Sequence, residues 1–305
     1  MSSRRKFIQE TAITTGGLFL ASSAFSSFFI AKKPKVIIIG AGFAGLAAAK
    51  YLHDFVILEA RNRISGRVFS HTIDEKENLI IELGAEWVGN SHERIHNLCN
   101  EFGLELQNNQ FDTHLIYKGN YYKKNEWDYS EDWNKKFKAI IDHYPKLTQA
   151  EKLKIDKMDW WRFLVNNGCE GRDLDIRELL DSTDFGETIR SVSAFAALAE
   201  YAESSEKNEM DLKIKGGNSM LAKKIADKIG NDKIKLQHAV SRVVQNSKGG
   251  VTVYCNNGQK FTADKIICTA PTFAVKKIKW EPGLPVDQVN AMNELQYARI
   301  NKNPI

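Results

Sequence analysis

The stretch "KVIIIGAGFAGLAAAKYLHDFVILEA", residues 35–60, decides the fold. Near its beginning, residues 36–39 form a continuous apolar run, as a buried strand of a parallel sheet requires. Gly40, Gly42 and Gly45 follow with the spacing GxGxxG. The first glycine permits a tight turn, the second lets the backbone approach a pyrophosphate, and the third lets a helix pack closely on the sheet. The pattern predicts a dinucleotide-binding strand–turn–helix unit.

The helix and strand that come next complete this unit. An alanine-rich helix is predicted to begin with Phe43 and Ala44, so that its free N–H groups face the phosphates. A second apolar strand, 55–58, ends in Glu59, whose carboxylate can accept hydrogen bonds from both ribose hydroxyls. The same carboxylate would repel the additional phosphate of NADP. The sequence therefore predicts a Rossmann-like α/β domain that binds a dinucleotide other than NADP.

The residues after Glu59 resemble a known family. The stretch "EARNRISGRVFS", 59–70, is similar to the flavin-containing amine oxidase family, which includes monoamine, polyamine and L-amino acid oxidases. That family has a Gly-Gly-Arg turn here, whereas this chain has Ser65 in place of the first glycine. The resemblance implies FAD as the cofactor, with Arg67 as a planar bidentate donor to its pyrophosphate. The matching residues are Glu59, Ala60, Arg61, Gly66 and Arg67.

Further segments resemble the same family in the same order along the chain. They are "IELGAEWVG" at 81–89, "KGGNSMLAKKIAD" at 215–227, "LQHAVSRV" at 236–243 and "DKIICTAPTFAVKKI" at 264–278. The second of these resembles the helix start that returns the chain to the FAD domain. The resemblance assigns further residues to the cofactor: Gly84, Ala85, Glu86 and Trp87 beside the flavin ring, Val240 on the adenine side, and Ala270 in the Ala-Pro segment.

One spacing differs from the family. Gly45 and Glu59 are 14 positions apart, about four fewer than the family has, which corresponds to about one helical turn. We therefore expect a shortened first helix with the binding site retained.

The order of the segments predicts a FAD-binding fold with an inserted, incomplete, mainly helical substrate domain. The predicted FAD-binding parts are 35–98 and 211–285, and the inserted part is 99–210. Within the insert, Lys118-Gly119-Asn120 predicts a hairpin turn. Short strands with turns predict an antiparallel ribbon between 233 and 268. Residues 286–305 are predicted to begin a truncated strand of the substrate domain.

The last segment suggests a role for Lys302. "LQYARINK", 295–302, resembles the family strand whose lysine holds a water at flavin N5. By resemblance, a neutral amine or L-amino acid gives hydride to flavin N5, water hydrolyses the imine, and O2 reoxidises the flavin to release hydrogen peroxide. The resemblance also implies that about a third of the usual fold is absent, so a complementing C-terminal chain is a candidate partner.

The first 34 residues have the layout of a secretory signal. Arg4 and Arg5 precede Phe7 and Ile8, an apolar stretch follows, and small residues occupy 21–24. This closely resembles a twin-arginine export signal, which implies the twin-arginine machinery as a partner and a periplasmic or exported location. An uncleaved anchor helix is the alternative.

Composition excludes some functions. A formal charge of +5 over 305 residues is too weak and too dispersed to indicate nucleic-acid binding. The four cysteines, at 99, 169, 255 and 268, have neither metal-ligand nor CxxC spacing. They are therefore expected to be buried thiols.

Three alternatives to an amine oxidase are open at this point. The first is a truncated FAD-binding fragment without catalysis, and the second is a flavin desaturase or a protoporphyrinogen-type oxidase on the same fold. The third is a zinc protease, because "HERIH" at 92–96 matches HExxH. Against zinc, no third ligand is evident, and Ile95, Leu98, Cys99 and Phe102 form the predicted buried stripe of that helix. Asn90 or Ser91 is expected to cap it.

Overall fold

A computed structural model describes residues 34–110, 112, 114–204, 211–247, 249–295, 297–298 and 300. Lys302 and residues 1–33 of the predicted export segment lie outside the described residues. The strands are β1 (Val36–Ile39), β2 (Phe55–Leu58), β3 (Ser70–Asp74), β4 (Leu79–Glu82), β5 (Leu106–Asn108), β6 (Leu115–Tyr117), β7 (Asn120–Tyr122), β8 (Leu212–Ile214), β9 (Ile234–Lys235), β10 (Val240–Gln245), β11 (Val251–Cys255), β12 (Lys260–Ala263), β13 (Lys265–Cys268) and β14 (Lys279–Glu281). The α-helices are α1 (Phe43–Ala49), α2 (Glu93–Phe102), α3 (Glu131–His143), α4 (Gln149–Asp156), α5 (Trp160–Asn166), α6 (Gly171–Phe185), α7 (Ala194–Glu203), α8 (Ser219–Ile229), α9 (Thr272–Val275) and α10 (Val286–Glu294).

A four-stranded parallel sheet carries the glycine loop. Its order is β13-β1-β2-β9, so β1 lies between two neighbours. Because side chains alternate along a strand, Ile38 and Ile57 enter the core that contains α1 and α8, whereas Ile37 and Ile39 enter the core on the opposite face. Burying one such side chain stabilises the fold by about 1.5–3 kcal/mol. This explains the continuous apolar run, and both predicted strands are confirmed.

A second sheet covers the face of the parallel sheet opposite α1 and α8. Its order is β12-β11-β10-β14, with antiparallel pairing among β10, β11 and β12. Val243, Val253 and Ala263 pack in one core with Ile37 and Ile39. The predicted ribbon is confirmed, and β14 adds a strand parallel to β10 that the sequence did not predict.

The shortened helix is also confirmed. Helix α1 has only 7 residues and ends before Lys50. Its buried residues, Gly45, Leu46 and Ala49, still pack on the sheet. The missing turn therefore removes the far end of the helix and leaves its N-terminal end in place.

The inserted part is mainly helical, as predicted. Helices α3, α5 and α7 contribute to its core, in which Trp133, Trp160 and Leu198 are almost fully buried. The hairpin prediction is confirmed, because β6 and β7 pair up to Tyr117 and Asn120. Within the described residues, the structure has no helix long and apolar enough to cross a membrane.

The structure moves the first domain boundary. The predicted boundary after residue 98 falls inside α2, and Phe102, Leu104 and Leu106 pack against the core of the parallel sheet. In addition, β5 pairs antiparallel with β8, the strand on which the chain returns. The first FAD-binding part therefore extends to the end of β5, since its apolar residues belong to that core.

The strand predicted at the beginning of 286–305 is wrong over residues 286–294. These residues form α10, which follows Pro285 in an extended conformation and carries Asp287 in its first turn. An acidic side chain there interacts favourably with the helix dipole. Val286 and Val289 are exposed, so the segment does not have the buried face that a substrate-domain strand requires.

The cysteine expectation holds at three of the four positions. Cys99, Cys169 and Cys255 are buried free thiols, but Cys268 is exposed. Cys268 is the last residue of β13 and pairs with Ile39, immediately before the glycine loop. Its exposure follows from its place at the open carboxyl edge of the parallel sheet.

A buried ionic cluster stabilises the helical part. The carboxylate of Asp181 is 1% exposed and accepts hydrogen bonds from the indole of Trp160 at 2.6 Å and the hydroxyl of Tyr201 at 2.8 Å. Arg177 lies 3.6 Å from it and stacks over the ring of Phe137. Burial raises the pKa of Asp181, whereas Arg177 and these donors lower it. The cluster joins α3, α5, α6 and α7.

We expect Asp181→Ala to reduce the free energy of unfolding by about 3–5 kcal/mol, because it leaves the buried charge of Arg177 uncompensated. Urea denaturation measures the loss. The control is Asp175→Ala on the same helix, since Asp175 is exposed and pairs with Lys118 at the surface; its loss should be much smaller. Equal losses for the two variants would contradict the role given to the cluster.

Candidate functional site

The glycine loop has the geometry that its spacing predicts. Gly40 has a φ of +104°, which favours glycine. A Cβ on Gly45 would lie 1.9 Å from the carbonyl oxygen of Gly40, so only glycine lets α1 begin this close to the strand. The Thr269 hydroxyl donates to the Ile39 carbonyl at 2.8 Å and fixes the loop from the neighbouring strand β13. Thr269 directly precedes Ala270, but no sequence pattern marks it as part of the site.

Glu59 supports the glycine loop from the end of β2. The residue is 9% exposed, and its two carboxylate oxygens accept from the N–H groups of Ala41 at 2.7 Å and Arg61 at 2.8 Å. The predicted bonds to ribose hydroxyls stay a prediction. Ala60 and Arg61 are exposed beside it. Glu59 thus joins the first and second strands at the carboxyl edge where a nucleotide would bind.

The turn at Ser65, Gly66 and Arg67 lies directly against the glycine loop. The N–H of Ser65 donates to the carbonyl of Ala41 at 2.9 Å. A Cβ on Gly66 would lie 3.1 Å from the Cα of Gly42, so two glycines meet backbone to backbone. The structure therefore brings Gly42, Gly66 and the exposed Arg67 to one place, as the resemblance implies.

Ser65 is strained at this position. Its φ is +80°, in the left-handed region, and its buried hydroxyl has no hydrogen-bond partner among the described residues. The left-handed conformation costs a residue with a Cβ about 1–2 kcal/mol. A buried hydroxyl without a partner adds a desolvation cost. The substitution of serine for the family's glycine is therefore unfavourable for stability.

The segment Gly84–Trp87 lies on the other side of Arg67. A Cβ on Gly84 would lie 2.1 Å from the Arg67 carbonyl oxygen, and the N–H of Ala85 donates to that oxygen at 3.1 Å. Glu86 is half-buried and accepts from the side chain of Asn109. The aromatic side chain of Trp87 is 38% exposed.

A cavity of about 680 Å³ adjoins these segments. Its wall is mostly apolar, and helix α2 contributes its first turn. Both the glycine loop and the segment Gly84–Trp87 contribute residues to its wall. Its lining residues include Phe43, Val68, Ala85, Trp87, Asn218 and Leu221.

The remaining predicted cofactor residues lie around the same edge. Ala44 is exposed in the first turn of α1. Ala270 is half-buried, with its N atom 3.7 Å from the position of a Cβ on Gly40. Val240 opens β10 two positions after His238, whose N–H donates to the Glu59 carbonyl at 2.7 Å.

The position predicted for Lys302 is outside the described residues, but Tyr297 lies nearby in the chain. A hydrogen bond to the side chain of Thr272 lowers the pKa of Tyr297, with smaller contributions from the Thr272 backbone and the positive charge of Arg67. Its ring contacts Phe273 edge to face at 5.2 Å. Tyr297 therefore lies near the edge where Arg67 lies.

Both histidines of the HExxH sequence contact the backbone of Gly89. His92 is itself the N-cap residue of α2, in place of the expected Asn90 or Ser91, and its Nδ1 accepts from the Gly89 N–H at 3.0 Å. The Nε2 of His96 lies 3.1 Å from the Gly89 carbonyl. The described residues contain no group of three or more His, Cys, Asp or Glu that could hold a metal. The predicted buried stripe of α2 is confirmed, with Cys99 1% exposed.

Comparison with known proteins decides the family. A model of the flavin containing amine oxidoreductase family matches residues 43–303. The chain belongs to this family. Its members use FAD, which confirms the cofactor and the fold class that the sequence predicted.

Several relatives illustrate the family's range. Amine oxidase [flavin-containing] B of Canis lupus familiaris is 27% identical over 83% of this chain and 53% of its own length. L-amino-acid oxidase of Mus musculus is 28% identical over 89% of this chain and 47% of its own. Polyamine oxidase 2 of Arabidopsis thaliana is 28% identical, with coverages of 89% and 58%. The chain spans about half the length of these curated relatives.

Solved structures support the fold. Putrescine oxidase bound to putrescine has a TM-score of 0.72 at 23% identity, over 86% of this chain and 63% of that one. Cyclohexylamine oxidase from Brevibacterium oxydans IH-35A has a TM-score of 0.73 with the same identity and coverage.

The residues of the site fit FAD. The paired glycines at 42 and 66 leave backbone that a pyrophosphate can approach, and the exposed Arg67 guanidinium supplies a planar donor. The apolar cavity begins at Phe43 and can take a planar ring. Glu59 and the glycine loop would hold the nucleotide end.

We expect Ser65→Gly to raise the free energy of unfolding by about 1–2 kcal/mol, because it relieves the left-handed strain and removes the buried hydroxyl. Urea denaturation at equilibrium measures the gain. Asn78→Gly is the matched control, since Asn78 also has a positive φ, of 49°, but asparagine tolerates that region. A Ser65→Gly protein no more stable than the parent would contradict the strain argument.

Proposed function

We propose that this chain forms the FAD-binding core and the first part of the substrate domain of an enzyme that oxidises primary or secondary amines or L-amino acids. One observation supports this most: in a chain of the amine oxidoreductase family, Phe43 of the glycine loop, Val68 directly after the Gly66–Arg67 turn, and Ala85 and Trp87 line one apolar cavity. FAD, when bound, supplies a two-electron acceptor for the amine α-carbon hydrogen, and O2 returns it to the oxidised state with formation of hydrogen peroxide.

The protein's part is binding, orientation and exclusion of water. The first N–H groups of α1 and the Arg67 guanidinium would hold the pyrophosphate. The Glu59 carboxylate, already fixed by two backbone donors, would accept from the ribose. Val68, Trp87 and Leu221 would shield the ring from water. Lys302 would hold a water molecule near the reacting atoms, as the resemblance implies.

A second candidate is favoured by the length of the match. Because the chain spans about half of its relatives, it can be a FAD-binding unit that oxidises amines only together with the rest of the fold, supplied by a complementing chain. Purified protein that holds FAD and releases peroxide with a primary amine or an L-amino acid supports the first candidate. Protein that holds FAD and releases none supports the second, and protein that does not bind FAD overturns both.

We also propose export through the twin-arginine route, on the basis of Arg4, Arg5 and the apolar stretch that follows them. A cofactor bound before export agrees with a route that carries folded proteins. Replacement of both arginines by lysine should retain the protein in the cytoplasm, as fractionation would measure. Unchanged export of that variant would contradict the proposal.

Arg67→Ala should raise the dissociation constants of both FAD and ADP about tenfold or more, because both ligands carry the pyrophosphate and a charge-assisted hydrogen bond contributes about 1.5–3 kcal/mol. Fluorescence titration of FAD and calorimetry of ADP give the two constants. Arg190→Ala is the control, since Arg190 is exposed on the helical part and stacks on Trp161. Unchanged affinities for Arg67→Ala would remove this residue from the site.

A further inference from the structure

A buried carboxylate lies behind the wall of the cavity, within the segment 81–89, and the sequence predicts no cofactor role for it. Glu82, the last residue of β4, is 6% exposed. Its Oε1 accepts from the backbone N–H of Asn218 at 2.7 Å. The hydroxyl of Ser70 lies 2.8 Å from both carboxylate oxygens. The carboxylate thus joins the β3–β4 hairpin to the beginning of α8.

Glu82 and Ser70 accept from the first two N–H groups of α8. The next two N–H groups, of Met220 and Leu221, which an N-cap side chain ordinarily bonds, donate to the carbonyls of Gly217 and Asn218. Asn218 is the N-cap residue, yet its side chain makes no capping bond. Its N–H donates to Glu82, and the N–H of Ser219 donates to the Ser70 hydroxyl oxygen at 2.9 Å. A negative charge at a helix N-terminus is favourable. The N–H of Ser70 in turn donates to the Ser219 hydroxyl at 2.9 Å, so the connection is reciprocal.

The Asn218 amide makes no capping bond and holds other segments instead. Its Oδ1 accepts from the Ile214 N–H at 2.9 Å. Its Nδ2 donates to the carbonyls of Ala85 at 3.1 Å and Glu86 at 2.6 Å. Asn218 is 6% exposed and lines the cavity together with Ala85 and Trp87. One side chain therefore fixes the backbone of the cavity wall.

The close approach that permits this network depends on Gly217. Its φ is +97°, and a Cβ there would lie 2.7 Å from the side chain of Ser70. Only glycine therefore lets α8 begin against the β3–β4 hairpin. In the sequence Gly217-Asn218-Ser219, the glycine thus permits the close contact, the Asn218 amide bonds the neighbouring segment, and the Ser219 hydroxyl accepts from the Ser70 N–H.

We propose that Glu82 and Asn218 are positioning residues for the cofactor: Glu82 fixes the backbone N–H of Asn218 at the beginning of α8, and the Asn218 amide holds residues 85 and 86 at the cavity wall. This rests on the proposed binding of FAD. The wall adjoins the cavity and not the Glu59 end of the glycine loop. The network therefore acts on the flavin half of the ligand and leaves the ADP half unaffected.

The test compares FAD with ADP. In Asn218→Asp the acceptor for Ile214 remains, but the two donors to the carbonyls of residues 85 and 86 are lost and a charge faces them. We expect the dissociation constant of FAD to rise about tenfold, while that of ADP stays within about twofold. Glu82→Gln should give the same split, because it removes the negative charge at the N-terminus of α8 and puts an NH2 donor where a carboxylate oxygen accepts from the Ser70 hydroxyl. A general loss of structure would weaken both ligands alike.

Two matched controls accompany these variants. Asn231→Asp changes the same residue type near the far end of α8, where the side chain bonds Asp227 at the surface. Glu281→Gln neutralises a carboxylate that pairs with Arg242 on β10, away from the cavity. Both controls should leave the two dissociation constants unchanged. If the Glu82→Gln variant fails to fold, the Asn218→Asp variant decides the test, because the Glu82 carboxylate is still present in it.

Hydrogen exchange in the ligand-free protein separates this proposal from the proposed function. Amides in residues 83–88 should exchange faster in Asn218→Asp and Glu82→Gln than in the parent and the controls. If the parent binds neither FAD nor ADP, the proposed cofactor binding is overturned. Hydrogen exchange of residues 83–88 then tests only whether Glu82 and Asn218 hold the backbone of the cavity wall. Equal weakening of FAD and ADP, or unchanged exchange of 83–88, overturns the positioning role.

Discussion

Contact of backbone with backbone is the constraint on which the site depends. Gly45 approaches the Gly40 carbonyl, Gly66 approaches Gly42, and Gly84 approaches the Arg67 carbonyl, each at a distance that leaves no room for an unstrained Cβ. The helix, the turn and the cavity wall are therefore stacked with no side chain between them. A site built in this way presents N–H groups and small surfaces to a ligand, and its precision comes from the hydrogen bonds that hold the layers in register.

Sequence reasoning recovered the parts of the fold that are local. β1, the glycine loop and β2 follow from one stretch, because apolar runs, glycine spacing and the terminal acid are read within a few residues of each other. The β6–β7 hairpin follows from its turn for the same reason. Helix α10 was missed because its few apolar residues are exposed and produce no periodic signal, and the boundary at 98 was misplaced because β5 finds its partner β8 only after the whole insert.

In the site, too, local patterns could be predicted from the sequence, whereas contacts between residues far apart in the chain could not. Residues of the motifs lie close together, and the groups that hold them are motif residues to which the resemblance assigns no role. Glu82 and Asn218 are separated by 136 positions, and Thr269 reaches Ile39 across 230. No pattern within a segment shows such a bond. A buried acid at the end of a strand or an asparagine before a helix is, by itself, an ordinary feature of a strand end or a helix cap. The two indicate a shared structural role only once the fold brings them together.

The return of the chain from the helical part determines how that part can influence the cofactor. Strand β8 pairs with β5, its Leu212 bridges to Val88, and four residues after β8 the Asn218 amide holds residues 85 and 86. A displacement of the insert would therefore reach the cavity wall through β8 before it reached the glycine loop, which is held separately by Glu59 and Thr269. The two supports are separate but connected through the turn, because Ala85 donates to the Arg67 carbonyl and Ser65 donates to the Ala41 carbonyl. A displacement of β8 would therefore act first on residues 85 and 86 and then, through the turn at residues 65–67, on the glycine loop.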